Sequence, residues 1–261
     1  MRLLRLFGVF LRVGIMRETA YPANFLAHLF DSAMELVTAL GGLALIFTYT
    51  STLDGWRPEE LVALVGVYIL FGGVIDLVIQ PGMEQLSEAV RDGTLDFTLA
   101  KPEDAQLLVS IWKVEIWNLI DVGLGFAVLG IALARLGQRV GPGQAAAFAA
   151  ALLAGGVIVY SFWLILATTA FWLVRVENIL VIFQSVYEAG RWPVSLYPGW
   201  LRFALTFLVP VAFAITVPAQ ALAGRLSWPA LAGAAGFAAT LFFAARLFWR
   251  AGLRRYSGAS S

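Results

Sequence analysis

The chain has 261 residues, of which 60% are hydrophobic and 13% are charged, and its formal net charge is +1. A soluble domain needs a polar shell in which roughly a quarter of all residues are charged, so the mean hydropathy of +0.81 predicts a protein whose solvent is lipid. The near-neutral charge excludes a typical nucleic-acid binder, and zero cysteines with one histidine, His28, leave few ligands for a metal or redox centre.

Five apolar segments are long enough to cross a hydrocarbon layer of about 30 Å, which takes roughly 20 helical residues. They cover residues 24–49, 61–79, 107–133, 145–173 and 228–248. Arginines crowd both ends of the chain, which predicts that both termini are cytoplasmic and that a sixth crossing lies between residues 177 and 225. The predicted fold class is therefore all-α, a polytopic membrane protein with six transmembrane helices in a single domain over residues 1–261.

The amino-terminal segment, residues 1–20, is predicted to be an amphipathic helix that lies in the membrane interface. Arg2, Arg5 and Arg12 form one stripe of this helix, and apolar side chains cover the rest of its surface. Such a helix either braces the first span against a cytoplasmic partner or serves only as a membrane anchor.

The longest polar segment, residues 82–104, is predicted to be a cytoplasmic coupling region. It begins as a helix with Met83, Leu86 and Val90 on one face, and Gly93 stands where a helix needs a left-handed stop. Residues 94–100 then alternate like an extended segment. A membrane protein that is driven from outside itself needs such a lever, and the alternative is an ordinary surface loop.

The segment between residues 177 and 225 allows two interpretations. In the preferred one, residues 179–189 form the fifth span, and residues 198–224 form a re-entrant segment that is broken at Pro210 and Pro218. In the other, residues 201–222 form a single kinked span. Glu188 and Arg191, three residues apart near the outer end of this region, are predicted to form an ion pair.

Ionisable residues within the spans are costly in hydrocarbon and are therefore candidates for function. Asp31 and Glu35 are four residues apart, so they share one face of the first span. An acidic lining would favour cationic or amphipathic cargo, and the alternative is a set of interhelical contacts. The candidate substrate-pathway residues are Asp31, Glu35, Asp76, Glu115 and Asp121.

Two segments carry a family resemblance. The sequence VRDGTLDFTLAKP after the second span, and WPVSLYPGWLRFALTFLVPVAFAITVPAQALAG before the last, resemble the ABC-2 type exporter permeases, in particular the bacterial ABC-2 family transporter proteins. The resemblance covers nearly the whole chain. It implies a fold like that of a type V ABC exporter in a bacterial plasma (inner) membrane.

The resemblance also implies partners. Such a permease pairs with an identical or related second permease and binds two separate ATPase subunits, which hold ATP and Mg²⁺. No GxxxxGK[ST] phosphate loop occurs in this chain, so we expect no ATP hydrolysis and no cofactor on it. The residues that we expect to couple to the ATPase are Met83, Glu84, Leu86, Glu88, Arg91 and Asp92.

Two other classes of function differ from an ATP-driven permease in what they require of the sequence. An ATP-independent channel or secondary transporter is the alternative, because it needs no nucleotide-binding partner. An intramembrane enzyme is disfavoured, since the sequence contains neither a GxSG nucleophile with a partner histidine nor a recognisable set of metal ligands.

Overall fold

The computed structural model describes residues 22–137, 141–173 and 177–256, together with Gly8 and Met16. Five helices in these ranges are long and apolar enough to cross a membrane, and one bent pair of shorter helices can supply a sixth crossing. The prediction of an all-α, multi-pass membrane protein is therefore confirmed. Apart from Gly8 and Met16, the predicted interfacial helix over residues 1–20 lies outside the described residues.

The helices are numbered here in chain order. They are α1 Pro22–Tyr49, α2 Pro58–Val74, α3 Gln80–Arg91, α4 Asp96–Leu99, α5 Ala105–Ser110, α6 Leu119–Leu136, α7 Pro142–Thr168, α8 Glu177–Tyr187, α9 Gly199–Phe203, α10 Val217–Leu222 and α11 Trp228–Leu253. Residues 50–57 lie at the predicted outer end of the bundle, where Arg225 donates to the carbonyl of Gly55 at 2.6 Å. Residues 92–115 lie at the opposite, predicted inner end.

The second membrane helix is the longest element that the structure describes. α2, a π-helical turn over Ile75–Ile79 and α3 form one continuous helix of 34 residues. At a rise of 1.5 Å per residue it is about 51 Å long, which exceeds the hydrocarbon thickness by about 20 Å. α2 is apolar and largely buried around its circumference, as expected for a helix at the centre of a bundle. We call this continuous helix the central rod.

Pro81 explains the π-helical turn in the central rod. Proline has no N–H, so the carbonyl of Leu77 lacks its normal helical partner. In a regular helix the N–H of Gln80 would bond to the carbonyl of Asp76, four residues earlier. Here it bonds to the carbonyl of Ile75, five residues earlier, so the carbonyl of Asp76 also lacks its usual partner. Two backbone acceptors on one side of the rod therefore need donors from outside the helix.

Both open carbonyls are satisfied by the segment that precedes α6. The N–H of Glu115 donates to the carbonyl of Leu77 at 2.9 Å, and Nδ2 of Asn118 donates to the carbonyl of Asp76 at 2.8 Å. To reach them, the chain leaves the helical conformation after α5 and resumes it at Ile116. The prediction of one uninterrupted third span over residues 107–133 is therefore wrong at its beginning.

The coupling region is helical on both sides of a glycine stop. α3 ends where predicted, since Gly93 has φ +69° and Thr94 donates to the carbonyl of Ala89 at 2.9 Å. The predicted extended segment over residues 94–100 is wrong, because α4 lies within it. Leu95 and Thr98 are both buried. A spacing of three residues places both side chains on the same face of one helical turn.

The segment before α11 contains one sharp break. Gly199–Leu208 and Ala212–Leu222 are bent by 82° relative to each other at Pro210. The predicted second break is wrong, because Pro218 lies in the first turn of α10, directly after a π-helical turn that continues into it. The re-entrant segment over residues 198–224 and the kinked span both contain this bend, and both stay predictions.

Helix α8 is short for a transmembrane span. Its 11 residues correspond to about 16 Å, roughly half of the hydrocarbon thickness. It continues into a 3₁₀ turn over Glu188–Arg191. The predicted fifth span over residues 179–189 therefore exists as a helix, but it needs the bent pair or thinned lipid to complete a crossing.

Glycines bring α6 into backbone contact with the central rod. A methyl group added at Gly125 would lie 2.7 Å from the Cα of Leu70, and one added at Gly73 would lie 2.7 Å from the backbone nitrogen of Val122. Small residues allow such close approach in membranes, where association relies on van der Waals packing.

Gly125→Ala is expected to destabilise the protein by about 1–3 kcal/mol, because the new methyl group would push α6 away from the backbone of the rod. Gly123→Ala on the same helix is the matched control, since nothing lies within 4 Å of its added methyl group. Thermal unfolding in detergent measures both variants. Equal stability of the two variants would contradict the close contact.

Candidate functional site

A polar cleft of about 160 Å³ opens between α1, the central rod, α6 and α8. Three of the five predicted pathway residues, Glu35, Asp76 and Asp121, line it together although they come from three different spans. The cleft residues are Glu35, Tyr68, Ile69, Gly72, Gly73, Asp76, Asp121, Gln184, Tyr187 and Glu188. The charged residues in this lining are all carboxylates, and their role in a substrate pathway stays a prediction.

Asp76 lies on the π-helical turn of the central rod, which displaces its side chain relative to a regular helix. Nε2 of Gln184 in α8 donates to Oδ1 of Asp76 at 3.2 Å. Single π turns are frequent at functional sites because they aim side chains that a regular helix would place elsewhere. The same distortion that Pro81 causes in the backbone therefore positions a carboxylate in the cleft.

Arg191 places a cation at the edge of the cleft. Its Nη2 donates to Oε1 of Glu35 at 3.1 Å, and its guanidinium carbon lies 5.5 Å from the ring centroid of Tyr68. The predicted pair between Glu188 and Arg191 is replaced by this contact, because α1 brings a carboxylate next to the aromatic face. A guanidinium between a carboxylate and an aromatic ring is a favourable arrangement for a cation.

Two tyrosines form the wall beneath this cation. The rings of Tyr68 and Tyr187 stack with their centroids 5.2 Å apart, and the hydroxyl of Tyr187 donates to the backbone carbonyl of Tyr68 at 2.9 Å. Both side chains are buried. Packing and this hydrogen bond therefore fix the positions of both rings.

His28 holds the third carboxylate. Its Nε2 lies 3.0 Å from Oδ2 of Asp121, and both side chains are partly buried. Within the described ranges, no group of three histidine and acidic residues is close enough together to hold a metal ion. The cleft therefore combines carboxylates from three helices with the rings of two tyrosines.

The other two predicted pathway residues lie away from the cleft. Asp31 is exposed on α1 and is not part of the lining. Glu115 pairs with Nζ of Lys113 at 2.7 Å, where both side chains are exposed by more than a third, so this pair adds little stability. The structure therefore separates Asp31 from Glu35, which sequence spacing alone had grouped.

Sequence reasoning missed several cleft residues. Gln184, Tyr68 and Tyr187 are polar or amphipathic side chains within apolar runs, and such residues inside a membrane are candidates for function by default. That signal was present in the sequence. The partner of Arg191 had no local signal, because Glu35 is 156 residues away.

The predicted coupling residues divide into two groups. Met83 and Leu86 are fully buried and attach α3 to the rest of the protein. Glu84 is partly buried and bonds to Gln80 at 2.8 Å. Glu88, Arg91 and Asp92 are exposed at the predicted inner end. The coupling role of all six residues stays a prediction.

A groove of about 360 Å³ lies beside the exposed side of α3. Its lining consists of Gln85, Glu88, Ala89, Asp92, Thr94, Thr98 and Trp112. Phe97 in α4 is 77% exposed next to Thr98 of this groove. Sequence reasoning did not single out Phe97, because it was assigned to an extended segment.

The comparisons with known proteins agree with this architecture. A family model described as an ABC-2 family transporter protein matches residues 33–260. The match includes the cleft residues from all four helices and the whole of the 82–104 segment. The search of curated proteins found no match, and neither did the search of solved structures.

Proposed function

We propose that the chain, which belongs to the ABC-2 family of transporter proteins, works in an ATP-driven exporter. It is a multi-pass membrane permease subunit of an ABC transporter. In this proposal it lies in the bacterial inner membrane with both termini in the cytoplasm. A second permease, identical or related, completes the substrate path. Two separate ATPase subunits bind at the inner end and supply ATP and Mg²⁺.

The length of the central rod is the observation that carries this proposal. The rod is about 20 Å longer than the hydrocarbon layer is thick, and we assign the excess length to α3, which carries buried Met83 and Leu86 on its inner face. A continuous helix transmits displacement along its axis better than a flexible loop does. The rod is therefore suited to pass on a movement that a partner imposes. The sequence has no phosphate loop with which this chain could bind ATP itself.

We assign the ATPase contact to an inner docking surface that consists of Glu88, Asp92, Phe97 and Leu99 with the adjoining groove. All four side chains are exposed. Phe97 is its apolar anchor, since exposed aromatic residues often dominate the binding energy of protein interfaces. The acidic residues around it would set the orientation of the ATPase subunit through charge complementarity.

Phe97→Ala is expected to weaken binding of the co-expressed ATPase subunit by about tenfold or more, because truncation removes an anchor worth at least about 1.4 kcal/mol. Phe243→Ala is the matched control, because Phe243 is 66% exposed on the membrane-spanning helix α11. The amount of ATPase retained on the purified permease measures both. Equal retention by the two variants would contradict the docking surface.

We propose that the cleft is part of the substrate path. Its volume of about 160 Å³ is below the roughly 300–1,000 Å³ of a typical small-molecule site, so one permease provides only part of a path. We assign its completion to a second permease that packs against the first helix, because this helix contributes Glu35 to the cleft and only 17% of its most apolar stretch is buried inside one chain. Carboxylates and tyrosine rings in the lining favour cationic or amphipathic cargo.

Glu35→Gln is expected to lower ATP-dependent transport of the cationic dye ethidium into inverted vesicles by about tenfold. The change removes a carboxylate from the cleft and leaves the charge of Arg191 unpaired, so the site repels a cation. Asp31→Asn is the matched control, because Asp31 is exposed on the same helix outside the cleft.

Unchanged transport by Glu35→Gln at normal expression would remove the cleft from the path. Ethidium transport that proceeds equally well without ATP would instead support the alternative function, an ATP-independent channel or secondary transporter. Loss of transport in both variants would show that the effect comes from charge on α1 rather than from the cleft.

A further inference from the structure

A polar network at the predicted inner end joins three elements that are far apart in the sequence. Asp104 precedes α5, and its Oδ1 accepts from the backbone N–H of Gln106 at 2.9 Å and of Leu107 at 3.4 Å. It therefore caps α5 and ends the coupling segment. The same carboxylate accepts from Arg246 of α11, 142 residues later in the chain.

Arg246 binds two residues of this junction at once. Its Nη1 donates to Oδ1 of Asp104 at 3.0 Å and its Nη2 donates to Oδ2, which makes a forked pair. Nη1 also donates to Oε1 of Gln106 at 2.6 Å. Chiefly because of the hydrogen bond from Arg246, the pKa of the Asp104 carboxyl lies below its ordinary value, so this carboxylate stays ionised at neutral pH.

The network continues into α7. Nε2 of Gln106, which is buried, donates to the hydroxyl of Tyr160 at 3.1 Å, and this hydroxyl lies 2.8 Å from Oγ of Ser110. Both ends of α5 are thus bonded to neighbouring helices. If the coupling segment moves, α11 must move with it, or the forked pair between Arg246 and Asp104 must break.

We propose that Arg246 is a positioning residue that couples the 82–104 segment to the last helix, so that movement imposed on the segment by a partner is passed to α11. This inference rests on the proposed function, because it needs an ATPase that moves the segment. Its physical basis is the forked geometry, which resists rotation as well as separation of the two groups. Arg246 acts through Asp104 and Gln106, and it touches neither ATP nor cargo.

The test uses the complete complex of permease and ATPase with a single reporter cysteine. The chain contains no cysteine, so Gly72→Cys in the cleft is the only thiol on the permease. A side chain fits there, since the nearest atom to an added Cβ is 3.8 Å away on Tyr187. The rate at which a water-soluble maleimide alkylates this cysteine is compared between the nucleotide-free and the ATP–vanadate-trapped complex.

We expect trapping to change the alkylation rate by about tenfold or more in the reporter background and in Arg250→Gln, the control on the same helix. Arg246→Gln should abolish at least nine-tenths of that change while the complex still assembles and hydrolyses ATP at a normal rate. Arg246→Lys should restore part of it, because lysine keeps the charge but not the fork.

A full nucleotide-dependent change in Arg246→Gln would overturn the inference, as would an equal loss in Arg250→Gln. If Arg246→Gln does not yield a monodisperse complex, Asp104→Asn tests the same contact, since asparagine still caps α5 but cannot form the ion pair. A full nucleotide-dependent change in the alkylation rate of Asp104→Asn would also overturn the inference. A reporter complex that retains no ATPase, or hydrolyses ATP without any change in the cleft, would overturn the proposed function itself.

Discussion

The structure depends on how two backbone carbonyls of the central rod are satisfied once the helical ladder no longer supplies their donors. Pro81 and the π-helical turn leave the carbonyls of Asp76 and Leu77 open, and Asn118 and Glu115 close them. A backbone carbonyl that is buried without a donor costs free energy, so these two bonds hold the segment before α6 against the rod. This attachment fixes the position of Asp76 in the cleft on one side and the direction of α3 on the other.

The rod therefore joins the two regions to which we assign function. Its membrane portion supplies Tyr68 and Asp76 to the cleft, and its extension α3 supplies Glu88 to the inner docking surface. Its outer end is held as well, because Oε1 of buried Glu60 accepts from Nε of Arg225 at 3.1 Å, directly before the last helix. Attachment at both ends and close glycine contacts along the middle make the rod a single mechanical element.

Much of the fold could be predicted because its signals are local. Hydropathy located the five long spans, and Gly93 marked the end of α3 because a left-handed stop favours glycine. The contacts that shape the site are not local: Asn118 is 42 residues from Asp76. Glu35 and Asp31 looked equivalent by spacing, and only the packing of α1 against the central rod and α6 places one of them in the cleft. For α4, seven residues of alternation could not distinguish a strand from one helical turn.

The most direct test of the rod as the transmitting element is the distance between spin labels on Glu59→Cys and Val90→Cys, measured in the nucleotide-free and the ATP-trapped complex. Both positions lie on the rod outside the inner docking surface, and a continuous helix sets their separation at about 47 Å along the axis. We expect this distance to be the same in both states, while the distance from Val90→Cys to Asp31→Cys on α1 changes. A shortening between the two labels on the rod would show that it bends at the π-helical turn, and this would contradict the account.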